Sequence, residues 1–379
     1  MTSPDPAFTE PLHVGRPNIG DPEEFLRLVQ GALDRRWLSN DGPLVRELET
    51  RIAERLGVAH CVATTNGTIA LEIAIRALGM TGEVIVPSFT FVATPHSLSW
   101  QGITPVFADI DPDTHCLDPA SVRRLITPRT TGIIGVHLWG RPAPVTELEE
   151  IAEEHGLQLM FDAAHAFGVS LGDRMVGSFG RAEVLSFHAT KFFNSVEGGA
   201  IVTDDADIAR TARLMRNFGF AGEDDVVYEG TNGKMTEVCA AMGLANLGAL
   251  DEVVTTNRRN YDAYVRELHG IEGVSVLPIG EQGRSNYQYV VMLIDEACAA
   301  TREEVLAALR DNNVLARRYF WPGCHRMEPY RTMFPEAGAN LPETERVAER
   351  VIVMPTGTSV DEQAVAAIAR IVRARVEAA

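Results

Sequence analysis

Only two lysines, Lys191 and Lys234, stand among the 34 basic residues of this 379-residue chain; every other one is arginine. A guanidinium keeps its proton at working pH and cannot serve as an amine nucleophile. Imine chemistry by a side chain therefore falls to one of two positions. Lys191 lies in SFHATKFFNSVEGGA, with Ser186 and His188 just before it and Gly198 and Gly199 just after. The run that precedes it, AEVLSF, reads as a buried strand. In an open parallel sheet, ligands bind beyond the carboxyl ends of the strands. A lysine there is expected to be desolvated, which lowers its pKa and frees the amine to attack a carbonyl. The competing reading is a solvated surface lysine, spared at random by a coding bias towards arginine. The small and apolar flanking residues argue against it.

Asp162 ends another apolar run, LQLMFD, on the same rim and 29 residues before Lys191. A carboxylate in that position is costly unless it has a partner. The ring nitrogen of pyridoxal 5'-phosphate would be such a partner, because a protonated pyridine ring acts as an electron sink. The alternative is a turn or cap aspartate before AAHAFG. Gly67 and Thr68, in NGTIAL, begin a helical pattern whose unpaired amides would suit a phosphate. A plain helix start capped by Asn66 or Thr68 reads equally from the same residues. Ser186 would add a hydroxyl to that phosphate. Phe89 and Phe91 follow the run EVIVP and are either core or a stacking platform. His165 and His188 read as cofactor or substrate contacts, or as satisfied structural histidines. No histidine spacing suits zinc, and no metal site is expected. There is no GxGxxG after the first strand, and no GxxxxGK[ST], GxSxG or HExxH.

The elements that must position these residues follow from periodicity. Residues 1 to about 20 read as an extended arm, with Pro4, Pro6, Pro11 and Pro17 opposing regular structure. Helical patterns cover about 22–33 and 43–56. From Gly67 the chain alternates between amphipathic helices and short β-rich apolar runs, the grammar of a mainly parallel sheet covered on both faces. After about Val254 the grammar changes to a long polar helix, about 250–269, then isolated strands (GVSVLP, YQYVVMLI) and helices. The expected organisation is α/β, with an arm and large sheet domain over 1–254 and a smaller α+β domain over 255–379.

Composition narrows the partners. A net charge of −18 argues against nucleic acid and anionic membrane surfaces. No apolar run approaches a membrane span. Five dispersed cysteines without a CxxC pair fit reduced thiols in the cytoplasm. The opening MTSPDPAFTEPLHVGRP lacks the apolar core of a signal peptide.

The ordered set NGTIAL, VPSFTFVAT, PVFADID, VHLWG, FDAAHAFG, SFHATKFFNSVEGGA and GTNGKMTEVCAAMGL resembles the DegT/DnrJ/EryC1/StrS sugar-nucleotide aminotransferases, pyridoxal-phosphate enzymes of fold type I. The resemblance runs from about Asn18 to about Thr358. It implies that Lys191 is the Schiff-base lysine and proton shuttle, and that Asp162 pairs with the pyridinium nitrogen. It implies a phosphate held by Gly67, Thr68 and Ser186, with Phe91 stacked on the ring and His165 beside the cofactor. Asn232, in GTNGKM, would reach the phosphate of the neighbouring subunit in a homodimer with shared sites. Lys234, where many relatives have arginine, would approach the substrate or the partner's site; the bland alternative is a surface charge. Asn66 and Trp139 depart from the serine and tyrosine common in the family. Relatives with histidine at the lysine position are dehydratases, and Lys191 argues against that branch. The segment ARRYFWPGCHRMEPY, with GTNGKM, is most similar to members that aminate C4 of dTDP-4-dehydro-6-deoxyglucose. The expected activity moves an amino group from L-glutamate to a nucleotide-linked deoxysugar, for antibiotic or surface-glycan synthesis. The alternatives are a C3 aminotransferase of the same family and a non-catalytic regulatory or binding protein on the same scaffold.

Overall fold

The structure, a computed structural model, describes residues 6–280 and 283–379. The start of the expected arm, Pro4 included, lies outside the described residues. In chain order the strands are β1 (Leu12–His13), β2 (His60–Thr64), β3 (Glu83–Pro87), β4 (Thr104–Ala108), β5 (Thr130–Val136), β6 (Gln158–Asp162), β7 (Ser170–Leu171), β8 (Arg174–Met175), β9 (Ala182–Ser186), β10 (Gly199–Thr203), β11 (Val274–Val276), β12 (Val290–Ile294), β13 (Val314–Leu315) and β14 (Val351–Met354).

Seven of them form one sheet in the order β2-β10-β9-β6-β5-β3-β4. The pairs β3/β4, β3/β5, β5/β6 and β6/β9 are parallel. β10 alone runs antiparallel to both of its neighbours. The strands are apolar on both faces because helices cover both, as the continuous runs in the sequence require. Ile85, Ile133, Phe161, Leu185 and Ala200 point into one core with the helices Pro43–Leu56, Val145–His155 and Glu237–Gly248. Their neighbours Val86, Ile134, Met160, Val184 and Ile201 point into the opposite core, with the helices Gly67–Ala77 and Ala206–Met215. This alternation is the strand pleat seen through its contacts.

Helix ends follow local chemistry. Asp21 caps the helix Pro22–Arg35 by accepting from Glu23 and Glu24 N–H, with proline at the first position, where its missing N–H costs nothing. Gly156 closes the helix Val145–His155 at φ +65°, a conformation glycine adopts without a Cβ penalty.

A second sheet, β11-β12-β14, is antiparallel and carries its own core with the helices Arg302–Asp311 and Glu362–Glu377. The helix Leu250–Leu268 serves both bodies. Leu250 and Val253 pack in the first core, Ala263, Tyr264 and Leu268 in the third. The expected boundary at 254/255 falls inside this helix. A fourth cluster, with Phe89, Trp139, Val291, Phe320 and Val353, fills the space between the sheets. The arm is not free of regular structure, contrary to the expectation from its prolines: β1 pairs in parallel with β13, and Asn313 Nδ2 donates to Phe8 O (2.7 Å). Proline excludes a helix but leaves the N–H groups of Leu12 and His13 free to pair.

Candidate active site

Asp162, Ser186 and Lys191 come together at the carboxyl end of the large sheet. Asp162 is the last residue of β6, opposite Val136 and Val184 of its neighbours. Its carboxylate is buried yet partnered: Oδ2 accepts from Thr94 Oγ1 (2.7 Å) and Oδ1 from Ala164 N (3.1 Å). Burial raises its pKa, against the pull of those two donors, Lys191 and His137.

Lys191 lies on the loop between β9 and β10 and keeps part of its surface exposed. Its backbone N–H donates to His188 O (2.9 Å). Desolvation in the cleft lowers its pKa to about 8; Asp162 and Tyr319 oppose this but do not outweigh it. Near neutral pH a usable fraction of this amine is therefore unprotonated, which an ordinary surface lysine does not offer.

The close meeting of Ser186 with the helix start at Gly67 is a matter of glycine. Ser186 ends β9 directly opposite Gly199. A Cβ on Gly199 would sit 2.6–2.7 Å from Asn66 C and Gly67 N, so only glycine lets the helix start come down onto the strand. A Cβ on Gly67 would meet Ser186 Cβ at 3.1 Å and Oγ at 3.4 Å. Asn66 caps the helix Gly67–Ala77 by accepting from Ile69 N (2.9 Å), so its side chain does not take up the first-turn amides of Gly67 and Thr68, and Gly67 packs against Ser186. Asn66 thus takes the cap itself, as the bland reading of this turn expects, without using up those amides.

His165 is buried among rings. It lies parallel to Phe320 (5.9 Å, 6°) and Trp139 (6.3 Å, 14°), and edge-on to Tyr289 (4.8 Å). Burial, then Lys191, hold its pKa well below the usual histidine range, so the ring is neutral. Its Nδ1 has no hydrogen-bond partner among the described residues. A buried polar atom of this kind normally finds one. Phe91 stands on the loop after β3, 55% exposed and 6.5 Å from Phe320. Phe89, in contrast, is fully buried.

The remaining expected residues lie apart. His188 is exposed and held within its own loop by Thr190 Oγ1 (2.8 Å) and Glu197 (3.4 Å). Asn232 is exposed and bridges Asn217, while Lys234 pairs with Thr64 along the outer edge of β2. The Lys234 ammonium sits 4.5 Å above the exposed Phe218 ring. Burial, then Arg216, lower its pKa.

Several participants escape sequence reasoning. Thr94 belongs to a helix start nearly 70 residues before Asp162. Tyr319 and Phe320 come from a segment that is legible only as a family marker. A cavity of about 600 Å³ opens beside them, lined by Phe91, Arg310, Arg317, Arg318, Tyr319 and Trp321. The loop carrying Phe91 is braced to this segment. Ser88 Oγ shares a hydrogen bond with His325 Nδ1 (2.7 Å), and His325 Nε2 meets Glu345 (3.2 Å). This serine-histidine-carboxylate chain is not a nucleophile, since Ser88 is fully buried and also accepts from His325 N (3.1 Å).

The family model for the DegT/DnrJ/EryC1/StrS aminotransferases matches residues 20–373. The chain is 36% identical over 361 residues to a dTDP-4-amino-4,6-dideoxy-D-glucose transaminase of Escherichia coli, covering 95% of this chain and 97% of that one. It is 32% identical to a GDP-perosamine synthase of Vibrio cholerae, covering 83% and 90%. Among solved structures it resembles DesI, determined in the presence of its TDP-sugar product. That match has a TM-score of 0.93 and 51% identity, over 97% of this chain and 94% of that one. A likeness to Helicobacter pylori PseC has a TM-score of 0.90 at 26% identity, over 98% of this chain and 100% of that one. With its fold and nearly its whole length matched, this chain belongs to the DegT/DnrJ/EryC1/StrS aminotransferase family.

Proposed function

We propose that the protein is a pyridoxal-phosphate-dependent aminotransferase that moves an amino group from L-glutamate to C4 of dTDP-4-dehydro-6-deoxy-D-glucose, in deoxysugar synthesis. The observation that carries this reading is Lys191: an amine with its pKa lowered to about 8, in one cleft with Asp162 and the glycine cradle. The residues present fit the cofactor. The Gly67 and Thr68 amides and the Ser186 hydroxyl would hold its phosphate, and Asp162 its ring nitrogen. The unpartnered His165 Nδ1 has the chemistry to meet a polar substituent on the ring. Phe91 would cover the ring from the open side.

Pyridoxal phosphate supplies an aldehyde that amines can join and a ring that draws electrons from the adjoining carbon. The protein does the rest. Lys191 Nζ is the amine that would hold the resting cofactor and, when free, would move the proton at the donor's α-carbon. Asp162 would keep the ring nitrogen protonated, and its burial would make that pairing stronger than in water. Because the donor leaves as a keto acid before the sugar enters, the two substrates should follow ping-pong kinetics.

The arginines of the cavity beside Phe91 oppose the chain's net charge of −18 and suit a diphosphate. The preference for C4 rests on the similarity to DesI and to the transaminases of 4-amino-4,6-dideoxyglucose. A homodimer is part of the same reading. Leu26, Leu33, Leu38, Phe218, Val226 and Val227 are exposed apolar residues of the kind that a second copy would cover. That copy would receive Asn232 and Lys234 at its cleft. The division into 1–254 and 255–379, and a cytoplasmic setting, belong to this proposal. No single described helix is long and apolar enough to cross a membrane.

Purified protein should absorb in the visible, and glutamate should change the band. NMR of the product made from dTDP-4-dehydro-6-deoxy-D-glucose tests the carbon; an unreacted C4 ketone would exclude the C4 assignment.

A further inference from the structure

Asn18 sits where three parts of the chain meet, and it is buried there. Its Nδ2 donates to the carbonyl oxygen of Phe192, the residue after Lys191 (3.1 Å). Its Oδ1 accepts from Thr358 N (3.2 Å) and Thr358 Oγ1 (3.0 Å), four residues beyond the end of β14. Its backbone oxygen accepts from Asn194 Nδ2 (2.8 Å). One end of the carboxamide therefore holds the lysine loop, and the other holds the three-stranded layer.

The flanks of Lys191 are tied from the same directions. Gln288, two residues before β12, accepts from Phe192 N (3.3 Å). Gly15 of the arm lies so close to Thr190 that a Cβ there would come within 2.7 Å of Thr190 Cβ. Asn246 completes the junction, accepting from Gly20 N (2.8 Å) and donating to Asn194 O (2.8 Å). A carboxamide offers a donor and an acceptor at opposite corners. Neither an alkyl group nor a carboxylate can keep both ties.

We propose that Asn18 is a positioning residue that couples the Lys191 loop to the three-stranded layer, so that the placement of that layer sets where the lysine amine points. The proposal rests on the reading of Lys191 as the reactive amine. It goes beyond that reading by giving the arm a part in the chemistry. The competing view, that the junction only holds the fold together, predicts a loss of stability without a change in the lysine's own behaviour.

The scarcity of lysine makes the test direct. Cofactor-free protein is labelled with cyanate across a pH series, and the peptides carrying Lys191 and Lys234 are quantified by mass spectrometry. Wild-type Lys191 should label with a midpoint of about 8. Asn18→Ala and Thr358→Val should move the Lys191 midpoint upward, towards that of an ordinary lysine, and leave Lys234 unmoved. Asp162, Tyr319 and His165, the titratable groups around Lys191, are intact in both variants. Turnover should fall about tenfold or more while KM for the nucleotide sugar changes little, since small misplacements of a reacting group are costly. If Asn18→Ala does not fold, Thr358→Val decides alone, because it removes the Thr358 hydroxyl's hydrogen bond to Asn18 Oδ1 and leaves the backbone one in place. An unchanged Lys191 profile in the folded variants overturns the proposal. Normal turnover by a Lys191→Ala enzyme would instead remove the functional reading and leave the labelling result standing.

Discussion

The two lysines occupy contrasting surroundings. Lys191 stands in a cleft with a carboxylate, a phenol and a neutral imidazole around it. Lys234 stands at the edge of the sheet, over an exposed phenylalanine and near the cation Arg216. In both, burial is the leading cause of a lowered pKa, so the shift alone does not separate them. What separates them is company. Lys191 shares its end of the sheet with the close-packed Gly67–Ser186–Gly199 turn and a buried acid. Among the described residues Lys234 meets neither; in the function proposed above it would serve the neighbouring subunit. A perturbed lysine signals chemistry only when the partners of that chemistry are present.

The sharpest way to break this contrast is to remove each amine. Lys191→Ala should lower kcat by at least about a thousandfold in steady-state assays, the scale of losing a placed general base. In the intact protein, capture of pyridoxal phosphate should quicken as pH rises through about 8 and then level off. The sign follows because only the unprotonated amine attacks the aldehyde, and desolvation has brought its pKa down into that range. Stopped-flow absorbance measures it; a rate that fell across that window would contradict the assignment.

Asp162→Asn comes next. The amide oxygen can still accept from Ala164 N, and Nδ2 can donate to Thr94 Oγ1 once that hydroxyl turns, but the charge is gone. A loss in kcat of about a hundredfold is expected. Thermal unfolding should be unchanged or slightly later, since burying an amide costs less than burying a carboxylate. Gly199→Ala should act through the cradle. Its Cβ meets backbone rather than a flexible side chain, so urea unfolding should show about 1–3 kcal/mol of lost stability. Affinity for the phosphorylated cofactor should weaken with it. Lys234→Ala should have the smallest effect, raising KM for the nucleotide sugar by about threefold to tenfold at nearly constant kcat, as expected for a lost charge contact. If it matched Lys191→Ala instead, the contrast between the two sites would collapse.

The sequence makes the sheet legible where strands are short, apolar and buried on both faces. It makes Asp162, Ser186 and Lys191 legible because strand ends carry ligands. Other parts are silent for physical reasons. Thr94 is an ordinary helix-start threonine until folding brings it to Asp162, and no local pattern records that meeting. The helix Glu237–Gly248 is alanine- and glycine-rich with buried residues around most of its circumference, so it lacks the amphipathic stripe that marks its neighbours. The β1/β13 pairing joins residues some 300 positions apart and only two long, too brief to leave a period. Asn18 stands about where the motif resemblance begins, just before the matched span, yet its four hydrogen bonds cannot be read from any spacing.

The reversed direction of β10 has one more effect. Because β9 and β10 are antiparallel neighbours, the lysine segment leaves the sheet and returns at the same rim, closed by Phe187 N to Gly198 O (2.8 Å) and Ser195 N to Phe187 O (2.9 Å). A parallel partner would have carried the chain to the far rim through a crossover. With both ends pinned side by side, lengthening the segment costs little closure entropy and leaves the register of every strand intact. Lys191 is thus carried on a tongue that insertion or deletion can retune while the frame beneath it stays as it is.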